Sequence, residues 1–218
     1  MIRVLIVEGQ ALVRAGLVRL LCDEKSIEIV GETGEAERAC ALARRLAPGV
    51  VILDLATPGL GGLELIRKLA RCLPDTRVLT VGNPSDGPYP SRALESGAHG
   101  YLTRGSSRRE LLDAVHRVAL GHTYLSAAVA ESMLLARLGR RPDPLEDLSP
   151  RELSVMVMIS EARDRRAISD TLCISPKTVS TYRSRLLRKL GASSDVELTH
   201  LSLRHGLIDP WQLAAPSG

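Results

Sequence analysis

Hydrophobic runs and helical stripes alternate through the first half of the chain. Ile2 to Val7 is a run of β-branched and aliphatic residues, the pattern of a strand buried on both faces of a parallel sheet. Glu8, Gly9 and Gln10 end it, and apolar positions at helical spacing then predict a helix over Ala11–Cys22. The same rhythm predicts strands at Ile27–Val30, Val50–Leu53, Val78–Val81 and Gly100–Leu102. It places helices at Ala36–Leu46, Leu63–Arg71, near Ser91–Ser96 and at Ser107–Leu120. Strands alternating with helices in this way predict an α/β fold, a doubly wound, five-stranded parallel sheet of flavodoxin-like type.

The pattern then changes to helix only. His122 to Ser126 leads into a helix over Ala127–Leu138, after which Gly139 to Pro144 reads as a polar, proline-interrupted linker. Ser149-Pro150-Arg151-Glu152 has the spacing of a capping box opening a helix that runs to Ser160. Ala167–Leu172, the turn Cys173-Ile174 and the stretch Ser175–Gly191 together read as a helix-turn-helix. Ser175 can cap the last of these helices, Pro176 suits its first position and Gly191 its exit. A final helix is expected over Asp195–His205. The implied division is a sheet domain at 1–121, a connector at 122–147, a small all-α domain at 148–208 and a tail at 209–218.

Wound as a helix, 175–191 separates into two stripes. Val179, Tyr182, Leu186 and Leu190 fall on one side, and Lys177, Thr181, Ser184 and Arg188 on the other, flanked by Ser180 and Arg185. A solvated amphipathic face is the commoner meaning of a basic stripe taken alone. Here charge is concentrated: residues 163–189 hold eight Lys/Arg against two Asp/Glu, whereas residues 1–121 hold sixteen against fourteen. A local excess of that kind attracts a phosphate backbone, and the helix suits the major groove of double-stranded DNA. Lys177, Ser180, Thr181 and Ser184 are the base-reading candidates, and Arg185 and Arg188 the phosphate contacts. Arg183 lies beside the packed stripe and is not expected to read bases.

Composition narrows the remaining classes. The chain has no Phe and a single Trp211, so it lacks the aromatic platform that single-stranded nucleic acid requires. Cys22, Cys40, Cys72 and Cys173 show no paired spacing, and the five histidines no metal-ligand spacing, so reduced thiols are expected and no zinc site. No apolar run approaches the ~20 residues of a membrane span, and the first residues are too short and strand-like for a signal peptide. A cytoplasmic protein without a membrane partner is expected. No nucleophile and base pair or cofactor loop emerges from the spacing, which points away from an enzyme. Gly59, Gly61 and Gly62 lack the lysine and hydroxyl residues of a phosphate-cradling loop and read as a turn.

The second half resembles the LuxR-type helix-turn-helix of NarL/FixJ-family response regulators. The residues that carry this are Leu148 to Glu152, Ile168-Ser169, Ile174 to Val179 and Arg188-Lys189-Leu190. The first half is similar to the receiver domain of that family, within it to the GacA/UvrY group, through Met1 to Leu5, Pro58 to Gly62, Gly97-Ala98 and Gly100 to Thr103. The resemblance implies double-stranded DNA as ligand, a homodimer, and a sensor histidine kinase or other signalling partner upstream. It adds Thr178 to the DNA-facing residues and makes Asp54, after the third strand, the candidate phosphoacceptor. It also implies a bound Mg²⁺, which demands oxygen ligands in a tight octahedron.

The departures from the family lie at that site. Where the family has an acidic pair, this chain has Glu8 and Gly9; where it has a hydroxyl at the end of the fourth strand, this chain has Gly82. Where it has Lys, this chain has Arg104, a wide planar fork in place of a compact ammonium. Two roles stand open for Asp54: phosphoacceptor, or structural partner of Arg104. The substitutions favour the second, a degenerate receiver with poor Mg²⁺ binding and no other cofactor.

Overall fold

The computed structural model describes residues 1–57, 61–82, 89–138, 145, 147–205 and 207–208. The chain divides into two compact units, one built from the strands and first six helices and the other from the last four helices.

In the first unit, strands β1 (Ile2–Val7), β2 (Ile27–Thr33), β3 (Val50–Asp54), β4 (Arg77–Gly82), β5 (Gly100–Thr103) and β6 (Tyr124–Leu125) form one sheet. Their order is β2-β1-β3-β4-β5-β6, and every neighbouring pair is parallel. Helices α1 (Ala11–Cys22), α2 (Ala36–Leu46), α3 (Gly62–Cys72), α4 (Tyr89–Glu95) and α5 (Arg108–Ala119) alternate with them, and α6 (Ala127–Leu138) follows β6. Val4, Ile6, Ile52, Leu79 and Leu102 pack with Leu21 of α1 and with Leu111, Val115 and Val118 of α5. Removing each such side chain from water contributes about 1.5–3 kcal/mol. The order reverses between β1 and β3, so the carboxyl ends of those strands open the crevice in which such sheets place their chemistry.

The doubly wound parallel sheet is as the hydrophobic pattern predicts, but it has a sixth strand. Tyr124 N–H donates to His99 O at 3.0 Å and Ser126 N–H to Tyr101 O at 3.1 Å, which draws 124–125 out of the expected connector and onto the sheet. Gly100 permits this, since a Cβ there would lie 2.9 Å from Tyr124 O. Two residues are too few for a period-2 pattern to register. Tyr101 is buried within β5. Gly61 has φ +85°, and a Cβ on Gly62 would come within 2.6 Å of the Leu55 backbone, so these glycines serve a turn; Gly59, with Pro58 and Leu60, lies outside the described residues.

In the second unit, α7 (Pro150–Ser160), α8 (Arg165–Leu172), α9 (Pro176–Leu190) and α10 (Asp195–Arg204) surround Leu148, Leu153, Met156, Ile168, Val179, Leu186 and Leu198, all buried. Leu145, placed in the connector by its sequence position, is also fully buried. Ser149 and Glu152 form the expected capping box. Asp164 accepts from Ala167 N–H at 2.7 Å, which starts α8 two residues before the predicted Ala167. Cys173 (φ 52°) and Gly191 (φ 63°) end α8 and α9 in the left-handed conformation, the usual termination signal. The linker at 139–144 and the tail from Asp209, with Trp211, lie outside the described residues.

Candidate functional sites: an acidic pocket and a basic helix

At the carboxyl edge of the sheet, β1 and β3 deliver Glu8 and Asp54, both buried. Asp54 is the last residue of β3 and not, as the hydrophobic run suggests, the residue after it. Its Oδ2 accepts from Arg104 Nη2 at 2.8 Å, and its Oδ1 from Ala56 N–H at 3.3 Å. Arg104 follows β5, with its backbone N–H bonded to Gly82 O at 2.9 Å. The sheet therefore brings Glu8, Asp54, Gly82 and Arg104 to one edge.

Glu8 is the anomalous member. Its Oε1 accepts from Gln10 N–H at 2.8 Å, while its Oε2 has no hydrogen-bond partner among the described residues. Burial, with the Asp54 charge adding to it, pushes the Glu8 carboxyl up to about 7, against the opposing pull of the Gln10 amide and of Arg104 and Arg14. Glu8 is thus partly protonated near neutrality. Gly9 contributes no carboxylate, and no cluster of three or more His, Cys, Asp or Glu is formed among the described residues.

Thr80 Oγ1 donates to Gly100 O at 2.8 Å from a fully buried position, so that hydroxyl is occupied inside the sheet. Gly82, which pairs in register with Thr103, holds the end of β4. Three further neighbours are not among the site residues that the sequence predicts. Arg14 Nη1 donates to Glu8 O at 2.7 Å, Thr57 Oγ1 to Asp54 O at 2.7 Å, and Thr103 Oγ1 shares a 2.9 Å hydrogen bond with Ser106 Oγ. Arg14 and Thr57 reach the pocket from a helix and a loop whose course a hydropathy pattern does not encode, and Thr103 ends β5.

In the second unit α9 turns Val179 and Leu186 inward and leaves Lys177, Thr181, Ser184, Arg185 and Arg188 exposed. Among the described residues, Lys177, Arg185 and Arg188 make no ion pair with a carboxylate. Thr181 Oγ1 gives its proton to Lys177 O at 3.0 Å, leaving an acceptor and a methyl group outward. Thr178 and Ser180 are half-buried. The Thr178 hydroxyl is bonded to the capping Ser175 hydroxyl at 2.8 Å, and Ser180 Oγ donates to Pro176 O at 3.2 Å.

Not every cation of the basic segment faces outward. Lys189 Nζ lies 2.8 Å from Glu152 Oε2. Burial pushes the Glu152 carboxyl up, but the hydrogen bonds from Lys189 and from the Ser149 amide and hydroxyl hold it below its ordinary value. Arg183 Nε bonds Asp195 Oδ1 at 2.7 Å, and Arg163 Nε lies 2.8 Å from Glu161 Oε2. Three of the eight positive charges counted from the sequence are therefore internal to the domain.

The family model of the response regulator receiver domain matches residues 4–116, and that of bacterial regulatory proteins of the luxR family matches residues 146–202. The chain is a response regulator. Its relatives include the response regulator GacA of Pseudomonas protegens, 43% identical with 96% of this chain and 99% of that protein covered. The response regulator UvrY of Escherichia coli K12 is 40% identical, with 99% of this chain and 100% of that protein covered. The structure of RcsB from Salmonella enterica serovar Typhimurium bound to promoter rprA in the presence of phosphomimetic BeF₃⁻ has the same fold. Its TM-score is 0.72 at 22% identity, over 92% of this chain and 97% of that one. This response regulator thus pairs a receiver with a LuxR-type helix-turn-helix, and it is a DNA-binding transcription regulator. No described helix is long and apolar enough to cross a membrane.

Proposed function

We propose that this regulator is an atypical one, a cytoplasmic homodimer that reads duplex DNA through α9 while Mg²⁺-dependent phosphorylation of Asp54 is impaired. The observation that carries the proposal is the 2.8 Å pair between Arg104 and Asp54, beside a carboxyl at Glu8 with a raised pKa. Mg²⁺ is held by carboxylates and water in a near-ideal octahedron. Here one carboxylate oxygen of Asp54 is bonded to a guanidinium, burial raises the Glu8 pKa and so disfavours its charged form, and Gly9 offers no carboxylate. This donor set does not fit a tightly held Mg²⁺. Without a hydroxyl at Gly82, a phosphoryl oxygen at Asp54 would also lack a partner at the end of β4.

The receiver then acts as a dimerisation or signal-accepting module whose input differs from ordinary aspartyl phosphorylation. Lys177, Thr181 and Ser184 face the base edges, and Arg185 and Arg188 the phosphates. Incubating the full-length protein with a small phosphodonor and Mg²⁺, and assaying for an acid-labile acylphosphate, tests the proposal. Little or no labelling is expected, and stoichiometric labelling at Asp54 overturns it.

A second reading is a conventional regulator phosphorylated at Asp54 by a sensor histidine kinase. It is favoured by the position of Asp54 at the end of β3 and by the 43% identity to GacA. A third reading, a partner in mixed dimers that has lost DNA binding, conflicts with the outward Lys177, Arg185 and Arg188 of α9, which make no ion pair among the described residues. An electrophoretic shift with salt titration separates it from the others.

A further inference from the structure

The Arg165 guanidinium reaches from the first turn of α8 to α9, where Nη1 donates to Ser180 Oγ at 3.4 Å. The Ser180 hydroxyl is arranged to receive it: its own proton goes to Pro176 O, which leaves its lone pairs to accept. Arg165 is exposed, and among the described residues its Nε and Nη2 have no hydrogen-bond partner. Arg165, Ser180 and Ser184 line one open groove of about 810 Å³ with Asp164, Arg163 and Arg183. Asp164 is engaged with the Ala167 amide, Arg163 with Glu161 and Arg183 with Asp195. Arg165 is thus the one cation lining that groove that makes no ion pair among the described residues, and it borders the outward face of α9.

We infer that Arg165 is a further DNA-backbone contact, seated by the Ser180 hydroxyl so that α8 and α9 hold one strand together. The inference rests on the reading of α9 as the DNA-facing helix. A planar guanidinium bonded through one nitrogen keeps the rest of its fork for a phosphate. Fixing it beforehand lowers the ordering cost of binding. Ser180 is on this account a positioning residue. With its hydroxyl proton committed to Pro176 O and its oxygen facing Arg165, it is not one of the base-reading groups.

The test uses the full-length protein and fluorescence anisotropy over a salt series. The probes are a labelled duplex selected by the protein from a random library and a scrambled duplex of the same length. Arg165→Ala is expected to weaken both duplexes by a similar factor, about fivefold or more, and to reduce the slope of log Kd against log salt by about 1. Ser180→Ala should give a smaller loss on both, and the double variant should bind no more weakly than Arg165→Ala alone. Arg165→Lys should recover the salt slope yet lose its coupling to Ser180→Ala, which covers the case in which the alanine variant fails to fold.

An unchanged Kd and slope for a folded Arg165→Ala overturns the inference. So does a loss confined to the selected duplex, or strict additivity with Ser180→Ala. Arg188→Ala serves as the reference. If it weakens binding and Arg165→Ala does not, only the α8 contact fails; if neither weakens it, the assignment of α9 fails as well.

Discussion

The acidic pocket of the receiver and the outward face of α9 make opposite use of charge. In the pocket the cation is turned inward, with Arg104 on the buried Asp54 at 2.8 Å. On α9, Lys177, Arg185 and Arg188 are turned outward and make no ion pair among the described residues. A charge satisfied inside the fold supports the fold, whereas a charge left in solvent is available to a ligand. The contrast also runs within the second unit, where Lys189 and Arg183 belong to the same helix as these outward cations but are bound to Glu152 and Asp195.

Four substitutions sharpen or break this comparison. The largest effect is expected at Glu8. Its folded-state pKa, about 7, lies above the ordinary 4.5, so the native state binds more protons than the unfolded state between those values. Stability therefore falls as pH rises from about 4.5 to about 7 and is level above, a change of up to about 3 kcal/mol. Glu8→Gln should flatten that dependence in urea titrations at several pH values, and an unaltered profile would contradict it. Arg104→Ala comes next, with a loss of about 2 kcal/mol from stranding the Asp54 carboxylate. Thermal melting checks it, and no change would mean the ion pair is not structural.

Smaller effects are expected at the residues proposed to face DNA, and these should show in binding rather than stability. Thr181→Ala should cost ~1–2 kcal/mol at one base position of a selected duplex and leave other sequences unaffected. Arg188→Ala should weaken all duplexes alike, by about 1 kcal/mol, and lower the salt slope by about 1. A stability loss at Arg188 comparable to that at Arg104 would erase the distinction between the two regions.

Much of this molecule is written in hydropathy. The helices Ala11–Cys22, Ala36–Leu46 and Ala127–Leu138 have the bounds their apolar spacing predicts, because long periodic segments carry many repeats of the same signal. The caps of α7 and α9 are legible for a different reason, since a hydroxyl, a proline and a glycine at fixed offsets have few alternative uses. Strand β6 is not legible, being two residues long and held by backbone groups that every residue possesses.

The candidate sites divide in the same way. Glu8, Asp54 and Arg104 can be found as strand-end residues, and the structure brings them to one edge. Which cations of the basic segment are spent internally cannot be found so. Lys189 meets Glu152 across 37 positions of sequence, and only the packing of α7 against α9 makes them neighbours. The half-buried placements of Thr178 and Ser180 are similarly a product of packing, because Ser180 sits at the edge of the helical stripe where a modest rotation decides whether it faces a groove or a neighbouring helix.

The brief pairing of Tyr124 and Leu125 with β5 has a mechanical consequence. It roots the first turn of α6 at the rim of the sheet, one residue beyond a strand whose partner, Tyr101, lies three positions before Arg104. The outgoing chain therefore starts from a clamped origin and not from a loose tether. Its direction of departure is set by the same strand that presents the pocket's cation.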